Sequence, residues 1–305
     1  MARMRRYLLA LALIVAPTAT AAGAAPHVVA KIRVGLGPCA GVAAFDSFWQ
    51  TNYTSGTLSR VNPRTNKVTR TGRLGAQPCG IVAGAGSLWI DGYGTSRVER
   101  VNRKTLKVVK RIRVGVNVWD VAYAFGSVWA SNNFNGSVSR INPATNRIVK
   151  TIKTGGQPSN FALARDALWV GSNQQDGQNI FRIDPATNTS TTIPTGHNRP
   201  SGIVVTADAV WTANGDNTVT RIDPATKAVL ATVKVSSTPQ QGDVAPDGAI
   251  WVPLLNENTI AVVDPQTNAV AQTVKTGSGP FVVRRGFGDM WVGSSQGNDL
   301  WRIRP

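Results

Sequence analysis

The stretch VWDVAYAFGSVWASNNFNGSVSRINPATNRIVKTIKTG at 118–155 reads as four short strands joined by turns. Residues 118–124 are small and apolar and run into the turn Phe125-Gly126. Residues 127–131 carry Trp129. A polar loop at 132–136 leads to a third strand at 137–141. The turn NPATN (142–146) opens a fourth strand that ends at Gly155. Strands of four to eight residues bounded by Gly, Asn, Asp and Pro mark an all-β chain, and no window holds a helical period. The turn has its own logic. A leading Asx side chain bonds forward to the backbone, Pro sets φ at the second position, and a closing Asn tolerates the left-handed conformation.

The same unit recurs on both sides. Trp49, Trp89, Trp129, Trp169, Trp211, Trp251 and Trp291 stand 40, 40, 40, 42, 40 and 40 residues apart. The turn returns as NPRTN (62–66), DPATN (184–188), DPATK (223–227) and DPQTN (264–268), with NRKTL (102–106) as a departure. Four strands per repeat at a period near 40 predict a seven-bladed β-propeller with antiparallel blades. Residues 301–305 read as the third strand of the seventh repeat. HVVAKIRVG (27–35) matches the fourth-strand segment KVVKRIRVG (107–115). The N-terminal strand is therefore expected to complete the last blade and close the ring, which removes free sheet edges. The repeated Trp is expected to pack between blades. Arg60, Arg100, Arg140, Arg182, Arg221 and Arg302 recur on the third strand. Each is expected to bond the turn of its own or a neighbouring blade.

Arg3, Arg5 and Arg6, the apolar run 7–16 and the small residues Ala22, Gly23 and Ala24 form a secretory signal pattern. The expected layout is a cleaved signal peptide over 1–24 and one propeller domain over 27–305. The product would be periplasmic or secreted, and monomeric. Without Arg3, Arg5 and Arg6, 30 basic residues face 16 acidic ones, a net charge of +14. That field suits a polyanion such as nucleic acid, acidic polysaccharide or anionic lipid, or it serves solubility alone. The basic residues are spread along the repeats without a dense run. No later stretch is long and apolar enough for a membrane helix.

In a propeller, the loops entering the first strand and those between strands two and three open on one face around the channel. Ten residues before each Trp stand Cys39, Cys79, Trp119, Ser159, Ser201, Gln241 and Phe281. Nine before stand Ala40, Gly80, Asp120, Asn160, Gly202, Gly242 and Val282. The framework repeats while these positions vary. One asymmetric site would require this, and a lack of constraint would also produce it. Trp119, Asp120, Asn160, Ser201, Gln241 and Phe281 are therefore candidate ligand contacts. Tyr53, Tyr93 and Phe134 add stacking surfaces, and Asn52, Asn132 and Asn214 add amides. Asp243 and Arg284 break the apolar inner strand in adjacent repeats. They read as an ion pair in a solvated channel or as an anion-binding group. Cys39 and Cys79 hold one position in consecutive repeats; a disulfide, free thiols and a metal pair all remain open. His197 is the acid–base candidate of this face, with Glu257 or Asp216 as partner. A binding protein without a cofactor or metal, an enzyme and an envelope interaction module all fit these residues.

The motifs RIDPATN and SRIN, followed by endings such as TIKTG, resemble the YVTN or NHL-type propeller repeat. The repeat is similar to that of YncE-like exported propellers and of the streptogramin (virginiamycin B) lyase group. The likeness spans 27–305 and implies a propeller scaffold. The first group implies single-stranded DNA binding. The second implies lyase chemistry by a His and a Glu with magnesium, for which His197 and Glu257 would stand.

Overall fold

Small side chains on the first strand of each repeat let seven strands converge, and each sheet builds outward from there. The resulting seven-bladed propeller is a computed structural model that describes residues 25–75 and 77–305. The segment expected to be a signal peptide lies outside the described residues. The first blade stacks β2 (Pro38–Ala44), β3 (Ser47–Asn52), β4 (Thr57–Asn62) and β5 (Lys67–Arg73) in that order. Five further blades repeat the order over 81–113, 118–153, 158–194, 202–234 and 243–275. Among the described residues no helix is long and apolar enough to cross a membrane.

The ring closes as the repeat requires. The seventh blade is β26 (Pro280–Gly286), β27 (Asp289–Ser294) and β28 (Asp299–Arg304), and its outer strand is β1 (His27–Arg33). Ile32 faces Leu300 and Lys31 faces Trp301 across that antiparallel seam. The Lys31 ammonium lies 4.1 Å from the Trp301 ring centroid, so Trp301 does cover the closing strand.

All seven repeat tryptophans are fully buried between neighbouring blades. Trp129, for example, packs with Phe161, Leu168 and Ile183 of the next blade. Its indole N–H donates to the Ala124 carbonyl at 3.0 Å, and Trp49, Trp89 and Trp291 donate to the matching carbonyls of their own blades. In six blades the residue facing the Trp across the sheet is the repeated Arg, as in Trp129 and Arg140. The Arg140 guanidinium stacks on Trp129, 4.8 Å from its centroid.

The same arginine reaches into the next blade. Arg140 Nη1 donates to the Pro185 carbonyl at 2.7 Å and to Asn188 Oδ1 at 2.8 Å, both in the following turn. Arg100, Arg221 and Arg302 make the equivalent pair of bonds. The clamp therefore needs the Asx-Pro-x-x-Asn turn, and its two exceptions have physical causes. In NRKTL the closing residue is Leu106, buried at 2% and packed in the core between the first two blades. A Cβ on Gly72 would come within 2.6 Å of Leu106 Cβ, so that close approach requires glycine. In DPATK the Lys227 ammonium itself bonds the Pro224 carbonyl at 3.2 Å. The sixth blade has Val262 facing Trp251. The seventh blade has no connection between its third and fourth strands, so there is no turn for an arginine to hold.

Candidate functional site

The inner strands of neighbouring blades are not ladder partners, so their backbone groups need other bonds when buried. Several of the varied first-strand residues supply them. Asp120 accepts the Phe161 N–H of the next blade at 3.0 Å and the Val121 N–H at 2.8 Å. Ser159 and Asn160 donate to the Ser201 carbonyl at 3.0 and 2.9 Å. Gln241 accepts the Ile203 N–H at 2.9 Å and donates to the Ile203 carbonyl at 2.8 Å. Asp243 accepts the Arg285 N–H at 2.8 Å. Much of the variation that suggested a ligand site is thus structural stitching between blades.

The two cysteines are joined. Cys39 and Cys79 form a disulfide with their Cα atoms 5.1 Å apart, which ties the first two inner strands together at the channel mouth. Around it lies a cavity of about 360 Å³, lined by Tyr53, Tyr93, Trp119, Asp120, Phe281 and Arg284 among others. Asn160 and the cystine also border it. Tyr53 and Tyr93 meet edge to face at 6.0 Å between centroids, and Tyr93 and Trp119 at 5.7 Å. The three rings form an arc across three blades. Below it a second cavity of about 360 Å³ follows the channel past Asp120, Gln241, Asp243 and Arg284. Asp120 and Arg284 border both spaces.

The floor of the mouth carries the local charge. Burial lifts the Asp120 carboxyl above the usual carboxylate range, against the pull of the Arg284 charge and two N–H bonds. Asp91 sits beside it, fully buried, and accepts the Cys79 and Gly80 N–H groups at 2.7 and 2.8 Å. Burial raises its carboxyl well above the usual range, and the Asp120 charge adds to this. Gly80 separates the two carboxyls. A Cβ there would stand 2.5 Å from Asp120 Oδ1 and 2.8 Å from Asp91 Oδ2, so no side chain fits. The Tyr53 hydroxyl is likewise raised by burial and by Tyr93 and Asp91. Among the described residues Arg284 donates only to carbonyls, those of Val283 at 3.0 Å and Gly242 at 3.3 Å. The Asp243–Arg284 ion pair read from the sequence does not form. Asp243 instead caps backbone N–H groups of Val244 and Arg285.

The remaining candidates stand elsewhere. Phe134 is 65% exposed and outside the cavity. Ser201 contributes its carbonyl to the stitching. Asn52, Asn132 and Asn214 are buried and brace their own blades; Asn132 Nδ2, for instance, donates to Ser137 and Ser139. His197 pairs with Asp216 at 2.8 Å and with Thr232 of an outermost strand at 3.1 Å, so it belongs to the rim. Partial burial opposes ionisation of Asp216, yet bonds from Thr218 and His197 outweigh it and hold that carboxyl below the usual range. Glu257 bonds Ser236 at 2.5 Å, separate from His197. Among the described residues no three His, Cys, Asp or Glu side chains converge on a point. His197 and Glu257, which the lyase resemblance implies together, are bonded to different partners, Asp216 and Ser236. Asp91 is the informative residue of this floor, and none of the varied first-strand positions points to it. Its signal was a carboxylate two residues after the Trp, where the other repeats carry Thr, Ser, Gly, Ala or Pro.

No family model and no curated protein sequence matches the chain. Solved structures do. A streptogramin B lyase superposes with a TM-score of 0.79 at 16% identity, over 92% of this chain and 97% of that one. A catalytically inactive virginiamycin B lyase from Staphylococcus aureus, with quinupristin, gives 0.78 at 17% identity over 90% and 99%. Hydrazine synthase from Kuenenia stuttgartiensis gives 0.77 at 16% identity over 90% and 97%. The resemblance to streptogramin lyase propellers read from the repeat is thus met at the level of the fold. One scaffold carries chemistries this different, so function has to be argued from the site.

Proposed function

We propose that the chain is an exported binding propeller. Its ligand is a small aromatic or apolar molecule, or the end of a polymer, that carries one anionic group into the channel mouth. The single observation behind this reading is the arc of Tyr53, Tyr93 and Trp119 above the Arg284 guanidinium, in one cavity of about 360 Å³. Aromatic faces stack on an apolar ligand body, and a guanidinium whose bonds go to carbonyls still offers donors to a carboxylate. Export is supported by the N-terminal charge pattern and the disulfide. The test is a titration with indole-3-acetate and phenylacetate, followed by tryptophan fluorescence and calorimetry. Binding that weakens tenfold or more in Arg284→Gln and is lost in Trp119→Ala supports the reading. Binding unchanged in both variants, or no binding of either compound, rejects it.

A second reading is an enzyme of lyase or hydrolase type at the rim. The observation favouring it is the His197–Asp216 pair, an oriented imidazole of the kind general bases use. It gains support from the likeness in fold to streptogramin B lyase. Turnover of quinupristin that disappears in His197→Ala would establish it, and absence of turnover removes it.

A further inference from the structure

The positive charge read as evenly spread is not even once it is placed on the ring. Residues 27–155 hold 19 Lys and Arg against 4 Asp and Glu, whereas 156–305 hold 11 against 12. Three of the four acids in the first part, Asp91, Glu99 and Asp120, are buried. The whole excess thus lies on the first three blades and the closing strand. Eleven of these 19 cations lie on outer strands. β1 carries Lys31 and Arg33, and β5 carries Lys67, Arg70 and Arg73. The outer strands of the next two blades, β9 (Val108–Arg113) and β13 (Arg147–Lys153), carry three cations each. All of these side chains are exposed. The outer strands of the next three blades, β17 (Thr189–Pro194), β21 (Val229–Lys234) and β25 (Ala269–Lys275), carry none, Lys234 and Lys275.

The cations are in register. Arg33, Arg73, Arg113 and Lys153 are equivalent: each faces the first residue of its third strand. Arg70, Lys110 and Lys150 form a second row, each facing the repeated Arg. Arg111, bonded to Glu99 at 2.8 Å, is the only one of them with a carboxylate partner among the described residues. Between the second and third blades this wall opens into a cleft of about 580 Å³, bordered by Arg100, Arg103, Lys104 and Lys110 and by no acid. The corresponding clefts further round the ring are bordered by Asp166 and by Asp208.

We propose that this outer wall, from β1 to β13, binds an acidic polysaccharide chain. The wall is the convex rim of a ring, and its charge rows continue around the circumference through four consecutive blades. A flexible polyanion can follow that curve, whereas a rigid duplex or a flat bilayer touches it along one line. The strands β5, β9 and β13 carry Thr hydroxyls and aliphatic residues such as Val109 and Val149 between the cations, and no aromatic ring; at β1 the Trp301 ring lies under the Lys31 ammonium, and His27 stands at the strand's start. Single-stranded nucleic acid gains much of its affinity by stacking on aromatic platforms, which β5, β9 and β13 do not offer. Hydroxyls and spaced ammonium and guanidinium groups suit sulfate and carboxylate groups. The wall is distinct from the mouth cavity, so the two readings stand or fall separately.

The experiment is a salt titration of heparin dodecasaccharide binding by the whole protein, beside a twenty-nucleotide oligothymidylate, a duplex of equal charge and vesicles containing phosphatidylglycerol. The wall variant combines Arg73→Ser, Arg113→Ser, Lys150→Ser and Lys153→Ser. The control combines Lys234→Ser and Lys275→Ser, and thermal melting verifies the fold of both. Heparin is expected to bind most tightly. Log affinity should fall linearly with log salt, and the wall variant should lose at least tenfold in affinity with a shallower slope, by about one unit per contact removed. The control should bind as the natural chain does. Equal loss in the control, no loss in a folded wall variant, or tighter binding of either nucleic acid or of vesicles overturns the proposal.

Discussion

Arg302 Nη1 donates to Asn66 Oδ1 at 2.9 Å, which joins the last strand of the chain to the first complete turn. The same guanidinium stacks on Trp291 and bonds buried Asp289, so one side chain links the core, the closing blade and its neighbour. Arg302→Ala is expected to destabilise the fold by about 2–4 kcal/mol, since it removes one of the two arginines that pair with buried Asp289 and leaves Arg304 as the other. Arg140→Ala, whose partners are neutral, should cost about 1–3 kcal/mol. Chemical denaturation of both variants measures the difference, and equal losses would show that Asp289 adds nothing.

The seam is also open to deletion. Removing residues 25–33 strips β1 from β28 and leaves an unpaired edge, the arrangement that invites edge-to-edge pairing. Size-exclusion chromatography should show dimers or aggregates, together with a lower melting temperature. A monomer of unchanged stability would contradict closure by this strand.

The cystine closes a loop of 40 residues. Under the chain-entropy model its loss should cost about 3–4 kcal/mol. The paired variant Cys39→Ser with Cys79→Ser should show a correspondingly lower denaturant midpoint. Intact mass of the untreated protein should show no free thiol.

Trp119 and Trp129 differ by ten positions and by role. Trp129→Ala empties a packed interface and is expected to cost about 3–5 kcal/mol. Trp119 is half-buried at the cavity. Its replacement by Ala should cost about 1 kcal/mol or less while it changes ligand binding. A large stability loss in Trp119→Ala would make it a core residue.

Asp91 and Asp120 give a signed pH dependence. Burial raises both carboxyls above their unfolded values near about 3.9. Their protonated forms therefore favour the fold. That contribution is complete below the unfolded value and is lost as pH rises through the higher folded one. Melting temperatures of Asp91→Asn relative to the natural chain should rise between pH 4 and pH 7. A difference that stays flat with pH would mean that Asp91 ionises normally.

The fold was legible because the repeat is redundant. Seven copies of one Trp and six each of one Arg and one turn average out local noise, and blade number, strand order and ring closure all followed. The cystine was legible as one of three options because its cysteines hold one repeat position. The site was less so. Asp120, Gln241 and Asn160 vary as ligand contacts would, yet they bond backbone groups of adjacent inner strands, and sequence cannot show which carbonyl lies within reach. Of the two partners read for His197, the loops give it Asp216, whereas Glu257 bonds Ser236. The aromatic arc was visible as residues but not as geometry, since it joins three blades through two irregular turns, at Tyr53 and Tyr93, and an inner-strand residue, Trp119.

Val262 occupies the one place where the arginine has nothing to hold. A circular permutant with new ends in the turn at 142–146 and the old ends joined should close the same circle, yet Arg100 would lose its target and the new seventh-blade turn would meet a valine. The seven units look interchangeable, but four of them carry the address of their neighbour, through Arg100, Arg140, Arg221 and Arg302. Blade shuffling or duplication would need the arginine and the turn it holds to move together, one from each side of the joint.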